Sequence, residues 1–135
     1  MTAIQPTQAQ LSAFAASDMS TPVCMVNLLK FKDTATYAPG TPEASENLSG
    51  QEAYGRYAIA VYRILDRIGA KPLFSAPAKQ FMIGNGDWDR VALVWYPSRQ
   101  AFLDMSSSAE YRAIHYHRDA GLAHQDLIET LPGDI

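Results

Sequence analysis

This sequence predicts an α+β fold, with helices packed against one side of a four-stranded antiparallel sheet, and three observations carry the prediction. The first is the stretch Trp88 to Tyr96, WDRVALVWY, in which both alternating side-chain sets, Val91/Leu93/Trp95 and Ala92/Val94/Tyr96, are apolar or aromatic. A strand with one wet face alternates apolar with polar, so this one is covered on both faces. The second is PVCMVNLLKF, residues 22–31, which is apolar on both sides over most of its length. The third is the order in which helix-period stripes and strand-like runs follow one another along the chain.

Residues 7–17, TQAQLSAFAAS, place Leu11, Phe14 and Ala15 at helical spacing, with Thr7 as N-cap and Gln10 as its capping-box partner. This helix and the residues before it form an amino-terminal extension, residues 1–21. After the strand at 22–31, residues 32–50 change to Thr, Ala, Pro, Gly, Ser, Glu and Asn without periodicity. That is well beyond the usual ~4–6 residues of a connection and suggests a lid, or a disordered linker. Ser49 and Glu52 then form a second capping box, and Tyr54, Tyr57, Ala58, Val61, Ile64, Leu65 and Ile68 make one stripe of a helix ended by Gly69. Its other face carries Arg56, Arg63 and Arg67, read as a solvated face, with Glu52 to Arg56 in the favourable i,i+4 order.

KPLFSAPAKQFMIGNGDWDRVALVWY reads as two strands. Pro77 implies a bulge or an edge position in the first, and Asn85-Gly86 signals a tight hairpin between them. Pro97-Ser98 opens another helix with Ala101, Phe102 and Met105 on its apolar side. The serines 106–108 break it, Ser107 with Glu110 forms a fresh capping box, and a second helical segment runs to Gly121. His124 to Leu131 closes the chain as a strand. After the first helix the order is βαββαβ, the ferredoxin-like arrangement, in one domain spanning residues 1–135.

Helices on one face of such a sheet leave the other, also apolar, uncovered. A second copy of the chain is the economical cover, so a homodimer with two sheets meeting face to face is expected. The chain has 47% hydrophobic and 19% charged residues and a formal charge of -3, which fits a globular protein and argues against nucleic acid as a partner. No basic-then-apolar leader opens the sequence and no apolar run approaches the ~20 residues of a membrane span, so no membrane partner and a cytoplasmic location are expected. The single cysteine, Cys24, sits in an apolar run as a buried thiol.

The blocks PVCMVNLLKF, SGQEAYGRY, GDWDRVALVWYPSRQAFLDM and EYRAIHYHRDAG together resemble the DUF1330 family over nearly the whole chain. The resemblance implies a dimeric α+β barrel. It also implies kinship with a superfamily that houses cofactor-independent monooxygenases, lactone isomerases, haem-handling enzymes and ligand-sensing domains. It implies no particular reaction. The family-motif positions it marks are Asn27, Tyr54, Tyr57, Trp88, Asp89 and Arg118.

On the last helix Tyr111, Ile114, His115, Arg118 and Leu122 share one side, so an imidazole and a guanidinium lie within an apolar stripe. Two accounts compete: an acid/base and anion-anchor pair, or a core histidine beside a snorkelling arginine. Trp88 and Asp89 either contribute an indole and a proton-transferring carboxylate or simply anchor a strand end. Asn27 either orients a ligand or bonds across the sheet. His115, His117 and His124 suggest no metal site, because an HxH pair on a helix diverges by about 200° and no further ligands stand at the right spacing. There is no GxGxxG, P-loop or GxSxG motif, and no bound cofactor is expected.

The leading expectation is therefore a small-molecule isomerase or monooxygenase working in an apolar cavity between sheet and helices. His115 or Asp89 would move a proton, with Asn27, Tyr54, Tyr57, Trp88 and Arg118 holding the substrate. The alternatives are a non-catalytic module that holds a metabolite, and a structural dimer with a filled core.

Overall fold

The computed structural model describes residues 3–133. Its sheet has the order β2-β3-β1-β4, every pair antiparallel, with β1 Val23–Phe31, β2 Lys71–Pro77, β3 Arg90–Tyr96 and β4 Leu122–Thr130. Helix α1 is Gln8–Ala15, α2 Gly50–Arg67, α3 Arg99–Ser107 and α4 Ala109–Gly121. Helix α2 carries the chain from β1 to β2 and the α3–α4 pair carries it from β3 to β4. Each crossover skips one strand, which is the ferredoxin-like topology. The core lies where Val23, Met25, Val94 and Tyr96 of the sheet meet Val61, Ile64 and Leu65 of α2.

Local chemistry sets most of the boundaries. Both expected capping boxes form: Thr7 with Gln10 before α1, and Ser49 with Glu52 before α2. Gly69, at φ +79°, takes the left-handed turn that follows α2. Gly50 and Gly121 let the start of α2 touch the end of α4. A Cβ on Gly121 would collide with the carbonyl oxygen of Gly50, and one on Gly50 with those of Lys32 and Gly121.

Several local expectations are corrected. The Glu52–Arg56 pair does not form: Glu52 Oε1 accepts the Ser49 N–H at 2.9 Å, and Arg56 turns to Glu46, also at 2.9 Å. The hairpin turn is not at Asn85-Gly86. The β2–β3 ladder ends at Pro77↔Arg90 with one further bond, Ala78 N to Asp89 O at 2.8 Å; Asp89 N turns instead to Leu29 O at 2.8 Å, and residues 78–89 form a long arm. The left-handed positions in this arm are Gly84 and Asp87. Pro77 does end an edge strand, while the bulge falls between Pro72 and Phe74. The N-cap of α4 is Ser108, whose Oγ accepts from Tyr111 N at 3.1 Å; Ser107 bonds back to Leu103 O within α3, and Glu110 pairs with Arg67.

The 32–50 connection is ordered against α4. Lys32 N and Thr36 N donate to the carbonyls of Gly121 and Ala120 at 2.8 and 2.9 Å. Glu43, in the 3-10 turn Pro42–Ser45, is buried and accepts from Tyr116 OH at 3.0 Å, while Tyr37 OH and His117 Nδ1 share a 2.7 Å hydrogen bond.

On the sheet face turned away from the helices, Cys24, Val26, Leu28, Val91, Leu93 and Trp95 form an apolar surface continued by Phe74 and Ile128, 52% and 45% exposed.

Candidate functional site

A cavity of about 1080 Å³ lies between the sheet and α2, α3 and α4, with residues 3–6 and α1 forming one wall. Most of its surface is apolar or aromatic: Met25, Leu29 and Tyr96 from the sheet, Tyr54 and Tyr57 from α2, and Phe102 from α3. This aromatic lining follows from the α2 stripe, which places Tyr54 and Tyr57 one turn apart with ring centroids 5.2 Å from each other. Tyr57 and Tyr111 share a hydroxyl–hydroxyl bond at 2.9 Å. Burial pushes the hydroxyls of Tyr54, Tyr57 and Tyr96 well above the usual phenol range, so they serve as neutral donors and acceptors and not as bases.

The polar groups gather where α4 meets β4. Gln125 Nε2 donates to Asn27 Oδ1 at 2.8 Å, and Gln125 Oε1 accepts from Arg118 Nη2 at 2.7 Å. Arg118 Nη2 also donates to Ile4 O, while Nη1 reaches Asp119 Oδ1 at 2.9 Å and His115 Nε2 at 3.4 Å. A guanidinium has no acceptor, so His115 Nε2 carries the lone pair and the ring proton sits on Nδ1, which faces Asp119 Oδ2 at 3.2 Å. Burial pulls the His115 pKa below its ordinary value; the Asp119 carboxylate opposes this and Arg118 reinforces it. The imidazole is thus neutral near pH 7, oriented by a carboxylate, with its basic nitrogen on the side of the guanidinium.

Of the residues singled out in the sequence, Asn27, Tyr54, Tyr57, His115 and Arg118 line this one cavity. Asn27 does so while also bonding across the sheet, through Gln125 and a longer contact to Ala92 O at 3.3 Å. Trp88 and Asp89 are elsewhere, which corrects the expectation for both. Asp89 Oδ2 accepts the Phe31 N–H at 2.8 Å and Oδ1 lies 3.4 Å from Lys30 Nζ, so its oxygens are spent closing the rim of the sheet. Trp88 packs on His124, ring centroids 4.6 Å apart, and anchors the 78–89 arm. The 32–50 connection, expected as a lid or a disordered linker, contributes nothing to this cavity's lining, while its ends, Lys32, Asp33 and Ser49, line a smaller adjoining cavity. The three histidines are scattered as expected from the diverging HxH pair: His115 in the cavity, His117 against Tyr37, His124 against Trp88.

Sequence reasoning missed Asp119, Gln125, Arg90 and the 3–6 segment. Asp119 was legible as the i+4 partner of His115. Gln125 and Arg90 reach the site through strand register, and Ala3 and Ile4 through backbone carbonyls, one accepting from Gln125 N at 2.8 Å and the other from Arg118.

Fold and site together define a ferredoxin-like α+β protein with a partly open, aromatic-lined cavity that is polar at one end. The family model described as "Domain of unknown function (DUF1330)" matches residues 44–128, and the chain belongs to that family. The crystal structure of RPA0582, a protein of unknown function from Rhodopseudomonas palustris, is 29% identical over 100% of both chains, with a TM-score of 0.87. Its methylated form is 31% identical over 99% of this chain and 98% of that one, at the same TM-score. A Dabb-family protein with a ferredoxin-like fold from Mesorhizobium loti aligns over 84% of this chain and 98% of its own, at 12% identity and a TM-score of 0.53. A dimeric ferredoxin-like protein of unknown function from Thermobifida fusca aligns over 87% and 96%, at 12% identity and a TM-score of 0.50. These two comparisons bear on the fold alone. No curated protein matches this chain.

Proposed function

We propose that this protein is a small-molecule isomerase that works without a bound cofactor, moving a proton on a carbon next to a carbonyl group. The observation that carries the reading is His115: a neutral imidazole facing an apolar cavity, its Nδ1 held by Asp119 and its Nε2 beside the Arg118 guanidinium. In the reaction, Nε2 takes a proton from the carbon next to the carbonyl. The C–H electron pair becomes a C=C bond, and the carbonyl π pair moves onto oxygen. Arg118, whose Nη1 lies 3.4 Å from Nε2, faces the resulting oxyanion. In a substrate with a C=C bond next to the deprotonated carbon, the imidazolium returns the proton to the far carbon of that bond, the double bond shifts into conjugation, and the oxyanion pair re-forms the carbonyl. Asp119 stabilises the imidazolium meanwhile. A cofactor-free monooxygenase begins with the same deprotonation, so oxygen uptake under the same conditions would assign that class instead.

The test is deuterium incorporation into 2-octanone in D2O, followed by mass spectrometry. The wild type is expected to exceed His115→Gln by about 100-fold or more, the usual worth of a positioned general base. Equal rates, with the ketone shown to bind, would leave a holding module and sink the catalytic reading.

The assembly belongs to the same proposal. The apolar sheet face described above is covered by the same face of a second copy, giving a homodimer; the Thermobifida fusca protein of this fold is described as dimeric. Native mass spectrometry should show a dimer, and Leu93→Glu should shift it to monomer; a wild-type monomer at micromolar concentration would overturn this reading.

A further inference from the structure

Arg118 is the cation at the proton-transfer end, and apart from the long Nη1 contact to His115, the one the oxyanion would take over, its Nη donors are engaged by Asp119, Ile4 and Gln125. The other guanidinium on the cavity wall is Arg90, and it differs in each respect. Among the described residues its one hydrogen bond is Nη1 to Ser75 Oγ at 3.1 Å, and it makes no ion pair. The carboxylates nearest in sequence, Asp87 and Asp89, are both turned to Lys30. Arg90, half-buried, also borders a smaller adjoining cavity of about 320 Å³ lined by Lys32, Asp33, Ser49, Gln51 and Asp89 among others, so it stands at an opening whose other charged groups are one cation and two carboxylates, Asp89 being turned to Lys30 and the Phe31 N–H.

Register places this cation relative to the proton-transfer end. Arg90 pairs with Leu29 and Leu29 with Gln125, so the three form one row across three strands on the helix-facing side. Neighbouring strands are about 4.8 Å apart, which puts Arg90 and Gln125 about 10 Å from each other. Gln125 carries Arg118, and Arg118 carries His115. The middle of the row is apolar and packed: Leu29 is fully buried, and the half-buried Tyr54 stacks against Phe31 at 5.3 Å, so the middle of a ligand spanning the row would meet Tyr54 and not Leu29.

We propose that Arg90 is the substrate's carboxylate anchor, so that the site takes an acid with an extended apolar middle and its reactive carbonyl at the far end, an oxo acid and not a simple ketone. The inference rests on the proton-transfer reading for the role of that far end. The guanidinium fork of Arg90 receives the carboxylate, fixing which carbon reaches His115 Nε2.

Calorimetric titration with 7-oxooctanoate and with 2-octanone, which lacks the carboxylate, tests it. The wild type should bind the oxo acid about tenfold or more tightly than the ketone, the worth of one charge-assisted pair. Arg90→Gln should bring the ratio to about one, and Arg90→Lys, which keeps the charge but not the fork, should retain part of it. No binding of the oxo acid, equal binding of both probes by the wild type, or a preference that survives Arg90→Gln would each overturn the inference. Deuterium exchange separates the two readings. If His115 exchanges 2-octanone and the acid gains nothing from Arg90, proton transfer stands and the anchor falls. If the Arg90-dependent preference is measured without exchange into either probe, the anchor stands and proton transfer falls.

Discussion

Gly121→Ala tests the crossing of α2 and α4 that builds one side of the cavity. The new methyl would run into Gly50 O and crowd Tyr54 N and Ala53 Cβ, two of the three being backbone atoms that cannot rotate away. Overpacking of this kind costs up to about 3 kcal/mol. Against it stands the gain from replacing a helical glycine by alanine, about 1 kcal/mol. The net loss is about 2 kcal/mol, which for a chain of this size lowers Tm by about 8 °C. The control is Gly55→Ala on α2, where a Cβ meets nothing within 4 Å; there only the helix term acts, and Tm should rise by about 4 °C. Thermal unfolding of the two variants beside the wild type is the assay. A rise in both would mean that the helices do not cross as described, and the placement of Tyr54 would go with it.

Three further outcomes are expected. Tyr57→Phe removes the partner of the Tyr111 hydroxyl and should cost about 1 kcal/mol, with the double Tyr57→Phe/Tyr111→Phe variant costing less than the sum of the singles; additive denaturation energies would refute the shared bond. Burial lowers the pKa of His115 and His117 from 6.5, so the unfolded chain takes up protons first as pH falls. Stability is therefore complete above about pH 6.5 and declines from there down to the folded-state pKa values; His117→Gln should flatten the Tm profile between pH 5 and 7, and an unchanged slope would refute that contribution. Trp88→Ala should lower Tm by loosening the 78–89 arm from His124 while ketone exchange is unchanged; a loss of exchange with the fold intact would return Trp88 to the site.

The elements that could be read from the sequence are those whose signals are local. Capping boxes at Thr7/Gln10 and Ser49/Glu52 and the seven-residue stripe of α2 depend on neighbours within a turn or two, and they locate α1 and α2 directly. Strands apolar on both faces likewise led to the sheet. What failed was pairing between distant residues: Asn85-Gly86 has turn chemistry, but a hairpin there needs the ladder to continue up to it, and past the Ala78–Asp89 bond Asp89 N is taken by Leu29 O on β1. In the site, the helix wheel found His115 and Arg118 because both lie on α4. The choice between Asn27 as ligand holder and as cross-sheet anchor depended on Gln125, 98 residues away, and no local pattern could supply it. Asp89 illustrates the opposite error. A carboxylate beside a tryptophan suggested chemistry, while its oxygens were needed by the Phe31 N–H and Lys30.

The wall contributed by residues 3–6 and α1 meets the charged end of the site through the main chain. Ala3 and Ile4 offer carbonyl oxygens, which any amino acid would supply, while Ile4, Leu11 and Phe14 line the cavity as apolar residues. Shape and chemistry are therefore separable at this wall. Substitutions at those three positions would resize this side of the cavity without altering what Arg118 holds. They also fall outside the stretch that matches the family model, residues 44–128, whereas His115, Arg118 and Arg90 fall inside it. A library of apolar residues confined to these three side chains would sort ligands by bulk alone, on an unaltered set of charges.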